Sequence, residues 1–271
     1  MIQPISVQRR NNVTIQGEGA QTFLFAHGFG CDQSMWRLVA PAFAAVGRVV
    51  LFDHVGAGGS DASAYQAEKY AGLEGYAADV IEICESEGLR DVTFVGHSVS
   101  AMIGVLAATR RPDLFARLIL ICGSPRFAND EAYVGGFASQ DLEELLELLE
   151  KNQLDWSATL APAVVDGSQF QTEWQSSVCR LDPAIAKDFA RATFMSDHRV
   201  ECRAVTTPSL LIECSDDALA PPPVGAFMHE AIKGSQRIVL NATGHSPHLT
   251  SPQAVISAMQ AFIDRPFVSA S

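Results

Sequence analysis

An α/β fold, with a mostly parallel sheet flanked by helices, is predicted for this chain by three observations. Short apolar runs closed by Gly, Asp or Ser recur along it, as strands buried on both faces do. Amphipathic segments separate those runs, which is the order that builds a parallel sheet wrapped by helices. The alternation breaks once, over residues 125–196, where no strand candidate occurs. With 271 residues, 48% of them apolar and 18% charged, the chain is long enough to bury a large core without a metal or disulfide staple.

The strand candidates are 21–26 (QTFLFA), 47–52 (GRVVLF), 91–95 (DVTFV), 117–122 (RLILIC), 208–214 (PSLLIEC) and 236–240 (QRIVL). Between them, 34–45, 70–87, 99–110 and 222–232 read as amphipathic helices. The interruption opens with DLEELLELLEKN at 141–152. Leu142, Leu145, Leu146 and Leu149 share one helical face there, and Glu143, Glu144, Glu147 and Glu150 lie elsewhere, as a solvated face requires. Further helices are expected to start near Leu154, Gly167 and Asp182-Pro183. The predicted organisation is therefore a core of 1–124 and 197–271 carrying a helical lid of 125–196.

Composition narrows the function. A net charge of −12 and a pI near 4.9 do not suit nucleic-acid binding, which needs a basic footprint. Cys31, Cys84, Cys122, Cys179, Cys202 and Cys214 form no CxxC pair and no metal-ligand spacing. They read as reduced core side chains, so no metal or cofactor is expected. The N-terminal MIQPISVQRRNNV lacks an apolar h-region and no run reaches membrane-spanning length, so a cytoplasmic protein without membrane association is expected.

The sharpest motif is Gly96-His97-Ser98-Val99-Ser100, between a strand and a helix. A serine on such a tight turn holds its hydroxyl above the sheet, and the crowded turn needs small neighbours. The usual fifth residue is Gly, and here it is Ser100. A serine hydroxyl needs a base to take its proton. In the order serine, acid, histidine, Asp217 and His245 follow Ser98, each in the loop after a strand candidate. There His245 would accept the Ser98 proton and Asp217 would orient the imidazole. Asp216 reads as a solvated loop charge, His248 as a supporting histidine, and His97 as packing within the turn. His54, His198 and His229 read as surface or satisfied polar residues. His27-Gly28-Phe29-Gly30 follows the first strand candidate, and the N–H groups of Phe29 and Val99 are candidate oxyanion donors. Asp53 to Ser60 contains glycines but lacks the GxGxxG spacing and a Walker lysine, so it does not read as a phosphate cradle.

HGFGCDQSMW (27–36), GHSVSAMIG (96–104), SPRFANDEAYVGGF (124–137), LDPAIAKDFARATFMSDHR (181–199) and ATGHSPHL (242–249) resemble the RsbQ-type branch of the α/β-hydrolases. That branch includes the bacterial energy-stress regulator of the sigma-B pathway and the plant karrikin and strigolactone receptors. The resemblance runs from about residue 12 to 263, leaves out the tail RPFVSAS, and turns Ser100 into a branch feature. It implies an α/β-hydrolase fold with a V-shaped four-helix lid over a small, mostly apolar pocket. Ser98, Asp217 and His245 match the family triad, and Phe29 and Val99 its oxyanion donors. Phe137 and Phe194 match lid aromatics that line the family pocket. Phe127 and Trp156 occupy aromatic lid positions too, with Trp156 read as lid packing. The resemblance implies two function classes: a slow hydrolase of small esters or lactones, or a signalling regulator that binds a small ligand and a protein partner such as a PAS-domain phosphatase. Phe29, Val99, Phe137 and Phe194 are all apolar, so a small, mostly apolar, uncharged substrate is expected.

Overall fold

The computed structural model describes residues 5–264, so the tail RPFVSAS and the ends of the expected core segments lie outside the described residues. Seven strands form one sheet: β1 (Thr14–Gln16), β2 (Gln21–Ala26), β3 (Gly47–Phe52), β4 (Val92–His97), β5 (Phe115–Ile121), β6 (Ser209–Asp216) and β7 (Gln236–Thr243). Their spatial order is β1-β3-β2-β4-β5-β6-β7. Only β1 is antiparallel to its neighbour; every other pairing is parallel. The six expected strands are all present, and β4, at the centre, is buried at every position. β1 escaped the sequence reading because it is three residues long and exposed throughout, with no apolar face to reveal it.

The helices of the core are α1 (Val7–Arg10), α2 (Ala40–Ala44), α3 (Leu73–Ser86) and α4 (Val99–Arg110) before the interruption. The interruption contributes α5 (Ser139–Lys151), α6 (Gln153–Val164), α7 (Ser168–Val178) and α8 (Pro183–Phe194). After it come α9 (Arg199–Ala204), α10 (Pro222–Ala231), α11 (Pro247–Thr250) and α12 (Pro252–Ile263). The segment expected as one helix at 34–45 is split into a 3₁₀ turn (Gln33–Leu38) and α2. Asp32 caps that turn through the Ser34 N–H, and Pro41 starts the next helix where its missing N–H costs nothing. No helix of the described residues is long and apolar enough to cross a membrane.

α5 packs against α6 and α8, and α6 against α7, so the four expected insertion helices pack on one another, and α6, α7 and α8 reach the loops at the carboxyl ends of the strands. Leu142, Leu146 and Leu149 are the buried stripe of α5, while its glutamates 143, 144, 147 and 150 are exposed. The insertion is not helical from 125, however. Residues 125–138 form a loop closed by bridges between Ala128 and Phe137 and between Asp130 and Tyr133. The Asn129 side chain accepts the N–H groups of Gly135 and Gly136, both at 2.9 Å. A Cβ on Gly135 would lie 2.4 Å from the Phe127 carbonyl oxygen, so the loop closes only with glycine there.

Candidate active site

Ser98 stands alone between β4 and α4 with φ 56° and ψ −121°. That left-handed strain, on the order of 1–3 kcal/mol, is held in place by neighbours. The Ser98 N–H donates to the Ile121 carbonyl at 2.8 Å. Gly96 is required because a Cβ would lie 2.4 Å from the Ser100 carbonyl oxygen, and Gly28 because one would lie 2.5 Å from His97 Nδ1.

The other two candidate residues meet Ser98 from the loops after β6 and β7. His245 Nε2 is 2.8 Å from Ser98 Oγ, and His245 Nδ1 is 2.7 Å from Asp217 Oδ2. The second Asp217 oxygen, Oδ1, accepts the N–H groups of Leu219 and Ala220 at 2.9 and 3.0 Å. All three side chains are buried. Burial pulls the Asp217 carboxyl upward, but the His245 imidazole and the two N–H donors outweigh it, and it stays below its ordinary value. Gly244, at φ 87°, bends the chain into the site. The His245 N–H donates to Val164 at the end of α6 (3.1 Å), and the His245 carbonyl accepts from His97 Nε2 (2.7 Å). Burial holds the His97 imidazole down to about 3, so it is a neutral donor at this contact. Asp216 is exposed.

The Cys122 sulfur, an Asp217 oxygen and a His245 nitrogen lie within 4.8 Å of one another. A hydrogen bond with Cys214, burial and the Asp217 charge all push the Cys122 thiol up, and the His245 and Asp217 side chains are engaged with each other.

The Phe29 N–H has no hydrogen-bond partner among the described residues. Val99 is the first residue of α4, where N–H groups lack an intrahelical acceptor and the helix dipole favours negative charge. The N–H groups of the two candidate oxyanion donors, Phe29 and Val99, are therefore uncommitted to the fold.

A narrow chamber lies over Ser98 and His245. Phe29, Phe127 and Phe194 line it. Phe137 does not: it is set one ring further back, 6.4 Å from Phe127, because the bridge to Ala128 holds it in the 125–138 loop. Trp156, read as lid packing, is fully buried and also forms chamber wall, 5.5 Å from the Phe29 ring. Leu160, Val164, Trp174 and Leu219, none of them singled out from the sequence, also form wall, beside Cys31, His97 and Thr193. Trp174 also donates its indole N–H to the Phe29 carbonyl at 3.3 Å. No Asp, Glu, Lys or Arg is among the lining residues.

The remaining histidines divide. His248 is fully buried between Trp36 and His97, at 4.8 and 4.4 Å between ring centroids. His229 binds Ser235 Oγ at 2.9 Å. His198 and His54 are buried rather than superficial, His198 beside Glu201 at 3.7 Å and His54 behind the Phe29 loop.

Residues 23–258 match the Alpha/beta hydrolase family. The chain is 38% identical to Karrikin insensitive 2 receptor CA of Petunia hybrida over 257 residues, covering 93% of this chain and 95% of the relative. It is 36% identical to a strigolactone esterase of Arabidopsis thaliana, covering 94% of this chain and 96% of that one. Among solved structures, a hydrolase from Oleispira antarctica superposes with a TM-score of 0.94 at 42% identity, over 96% of this chain and 97% of the other.

Proposed function

The chain belongs to the alpha/beta hydrolase family, and from that premise we propose that it hydrolyses small, uncharged, mostly apolar esters or lactones through Ser98, His245 and Asp217. The observation that carries this reading is the continuous Ser98–His245–Asp217 hydrogen-bond chain under a chamber with no charged lining residue. A charged substrate would lose its hydration there without gaining a partner.

In the proposed reaction Ser98 Oγ attacks the substrate carbonyl carbon as its proton passes to His245 Nε2. The carbonyl oxygen becomes an oxyanion, received by the Phe29 and Val99 N–H groups. Asp217 accepts from His245 Nδ1 and stabilises the imidazolium. Collapse breaks the carbonyl–oxygen ester bond, and His245 returns the proton to the leaving alkoxide. A lactone gives the same acyl-Ser98 with its hydroxyl still attached. Water then adds to the acyl carbon, giving its proton to His245, and the acid leaves as Ser98 regains its hydrogen. No step calls for a metal or cofactor.

A panel of neutral short esters, a butenolide lactone and charged esters tests the reading. Neutral substrates should turn over and Ser98→Ala should abolish turnover. Phenylmethylsulfonyl fluoride should add one adduct to the wild type by intact mass and none to Ser98→Ala. Faster turnover of charged than of neutral esters would overturn the substrate class. Undiminished labelling of Ser98→Ala would overturn the nucleophile.

Phe194 touches Phe29 and Phe127 at 6.3 and 5.0 Å between ring centroids, on the chamber wall. Phe194→Ala should therefore raise KM for small aromatic esters several-fold, with a smaller proportional change in kcat. An unchanged KM would remove Phe194 from the substrate site.

The receptor name of the Petunia relative favours a second reading, in which the same pocket serves a ligand-responsive regulator with a protein partner. Ligand binding with no turnover of any ester or lactone, by protein whose Ser98 still labels, would select it.

A further inference from the structure

We propose that Ser100 and His54 are positioning residues for the oxyanion loop: together they hold the His27 carbonyl from behind and so aim the Phe29 N–H at the reacting carbonyl. The proposal rests on the hydrolase reading above and adds two residues that touch neither substrate nor triad.

Ser100 Oγ is 2.5 Å from the His27 carbonyl oxygen, 2.7 Å from His54 Nε2, and fully buried. A carbonyl offers no proton, so the hydroxyl donates its single hydrogen to His27. His54 Nε2 must then be the donor to Ser100 Oγ, and at 3.2 Å it also reaches the His27 carbonyl. Burial, reinforced by His27, keeps the His54 imidazole well below its ordinary value, so it is neutral with its one proton at Nε2. The His54 backbone N–H in turn donates to His27 Nε2 at 3.1 Å. That leaves the His27 proton on Nδ1, facing the Gly28 carbonyl at 2.9 Å.

Each carbonyl of His27-Gly28-Phe29 is thus held by at least one donor. His27 is held by Ser100 and His54, Gly28 by His27 Nδ1 and by the Cys31 N–H at 3.3 Å, and Phe29 by Trp174. The three consecutive peptide planes that carry these carbonyls are fixed, and the Phe29 N–H, which has no partner among the described residues, is available to a ligand. The Ser100 hydroxyl is what a glycine at the fifth position of the turn would lack. His54 is itself clamped between rings, with Phe52, Tyr76 and Phe189 at 5.3, 5.6 and 5.7 Å between ring centroids. Phe189 is on α8 and also touches Phe29 at 5.4 Å, so the lid supports the same loop.

An oxyanion donor misaimed by a fraction of an ångström binds the ground state unchanged and the transition state less well. Ser100→Ala and His54→Phe should each lower kcat on the order of 10- to 100-fold, less than outright loss of a donor, with KM nearly unchanged. Affinity for phenylboronic acid, which forms an anionic tetrahedral adduct on serine, should fall by the same factor. The double variant should lose little more than the worse single one, because both residues serve one carbonyl. His54→Gln should recover much of the His54→Phe loss, since its amide N–H can reach the position of Nε2. Wild type inert towards every ester sinks the hydrolase reading itself. An active wild type sinks this proposal alone if kcat is unmoved in folded Ser100→Ala, if KM moves instead of kcat, if the single losses multiply, or if Gln gives no rescue. Should His54→Phe fail to fold, Ser100→Ala with the boronic acid decides.

Discussion

Asp217→Asn should lower kcat on the order of 10⁴-fold, equivalent to about 5 kcal/mol of transition-state stabilisation, with the fold intact. The size of the effect follows from the orientation the structure imposes on the new amide. Asp217 Oδ1 accepts two backbone N–H groups, from Leu219 and Ala220, so the Asn carbonyl oxygen must take that place. Its NH₂ is then turned to His245 Nδ1, where the carboxylate oxygen stood at 2.7 Å. Facing a donor, Nδ1 gives up its proton and the imidazole carries it on Nε2 instead. Nε2 then points a hydrogen at Ser98 Oγ across 2.8 Å and is no longer a base. Asp216→Asn alters an exposed side chain and should leave kcat within about twofold. The measurement is kcat for a neutral phenyl ester beside thermal unfolding of both variants. A large loss in Asp216→Asn and a small one in Asp217→Asn would assign the acid to the other carboxylate.

Much of this arrangement was legible before any coordinates, for reasons that can be located. β2 to β6 are apolar runs because parallel strands inside a sheet are buried on both faces, and a run of that kind needs no partner to be recognised, whereas β7, at the sheet edge, was legible from its apolar stretch IVL alone. Ser98, Asp217 and His245 were legible because each follows a strand at the same end of the sheet, in an order that one fold repeats. What stayed hidden depends on contacts far apart in sequence. The Phe137 ring was expected in the pocket, but the closure of residues 125–138 around Asn129 decides where it points. Trp156 and Trp174 sit 5.9 Å apart between ring centroids on helices whose inward faces are set only by docking on the core. His54 looked unattached because its partners, His27 and Ser100, come from other strand ends and converge only when β2, β3 and β4 align.

The protein should lose stability steeply as pH falls below about 6.5, and His248→Phe should make that loss shallower. His54, His97 and His248 are fully buried, and burial is the first cause holding each imidazole below its ordinary value. For His97 that value is about 3. Unfolding returns each to about 6.5. Below about 6.5, and for His97 down to about 3, the unfolded chain binds protons that the folded one refuses, so stability rises with pH across the window and is lost on acidification. Each such histidine contributes a slope approaching ~1.4 kcal/mol per pH unit, and three together ~4. A domain stable by roughly 5–15 kcal/mol cannot sustain that over many units. His248 is the one to replace, because neither ring nitrogen has a hydrogen-bond partner among the described residues. The groups set against its protonation are His97, His245 and the Arg37 cation. Phenylalanine preserves a ring against Trp36 and His97 and removes one proton from the balance. Urea unfolding at pH 7, 6 and 5 should then show the variant's stability falling about a third less per unit than the wild type's. Equal slopes in the two proteins would mean that His248 takes up its proton in the folded state as readily as in the unfolded one, against its burial.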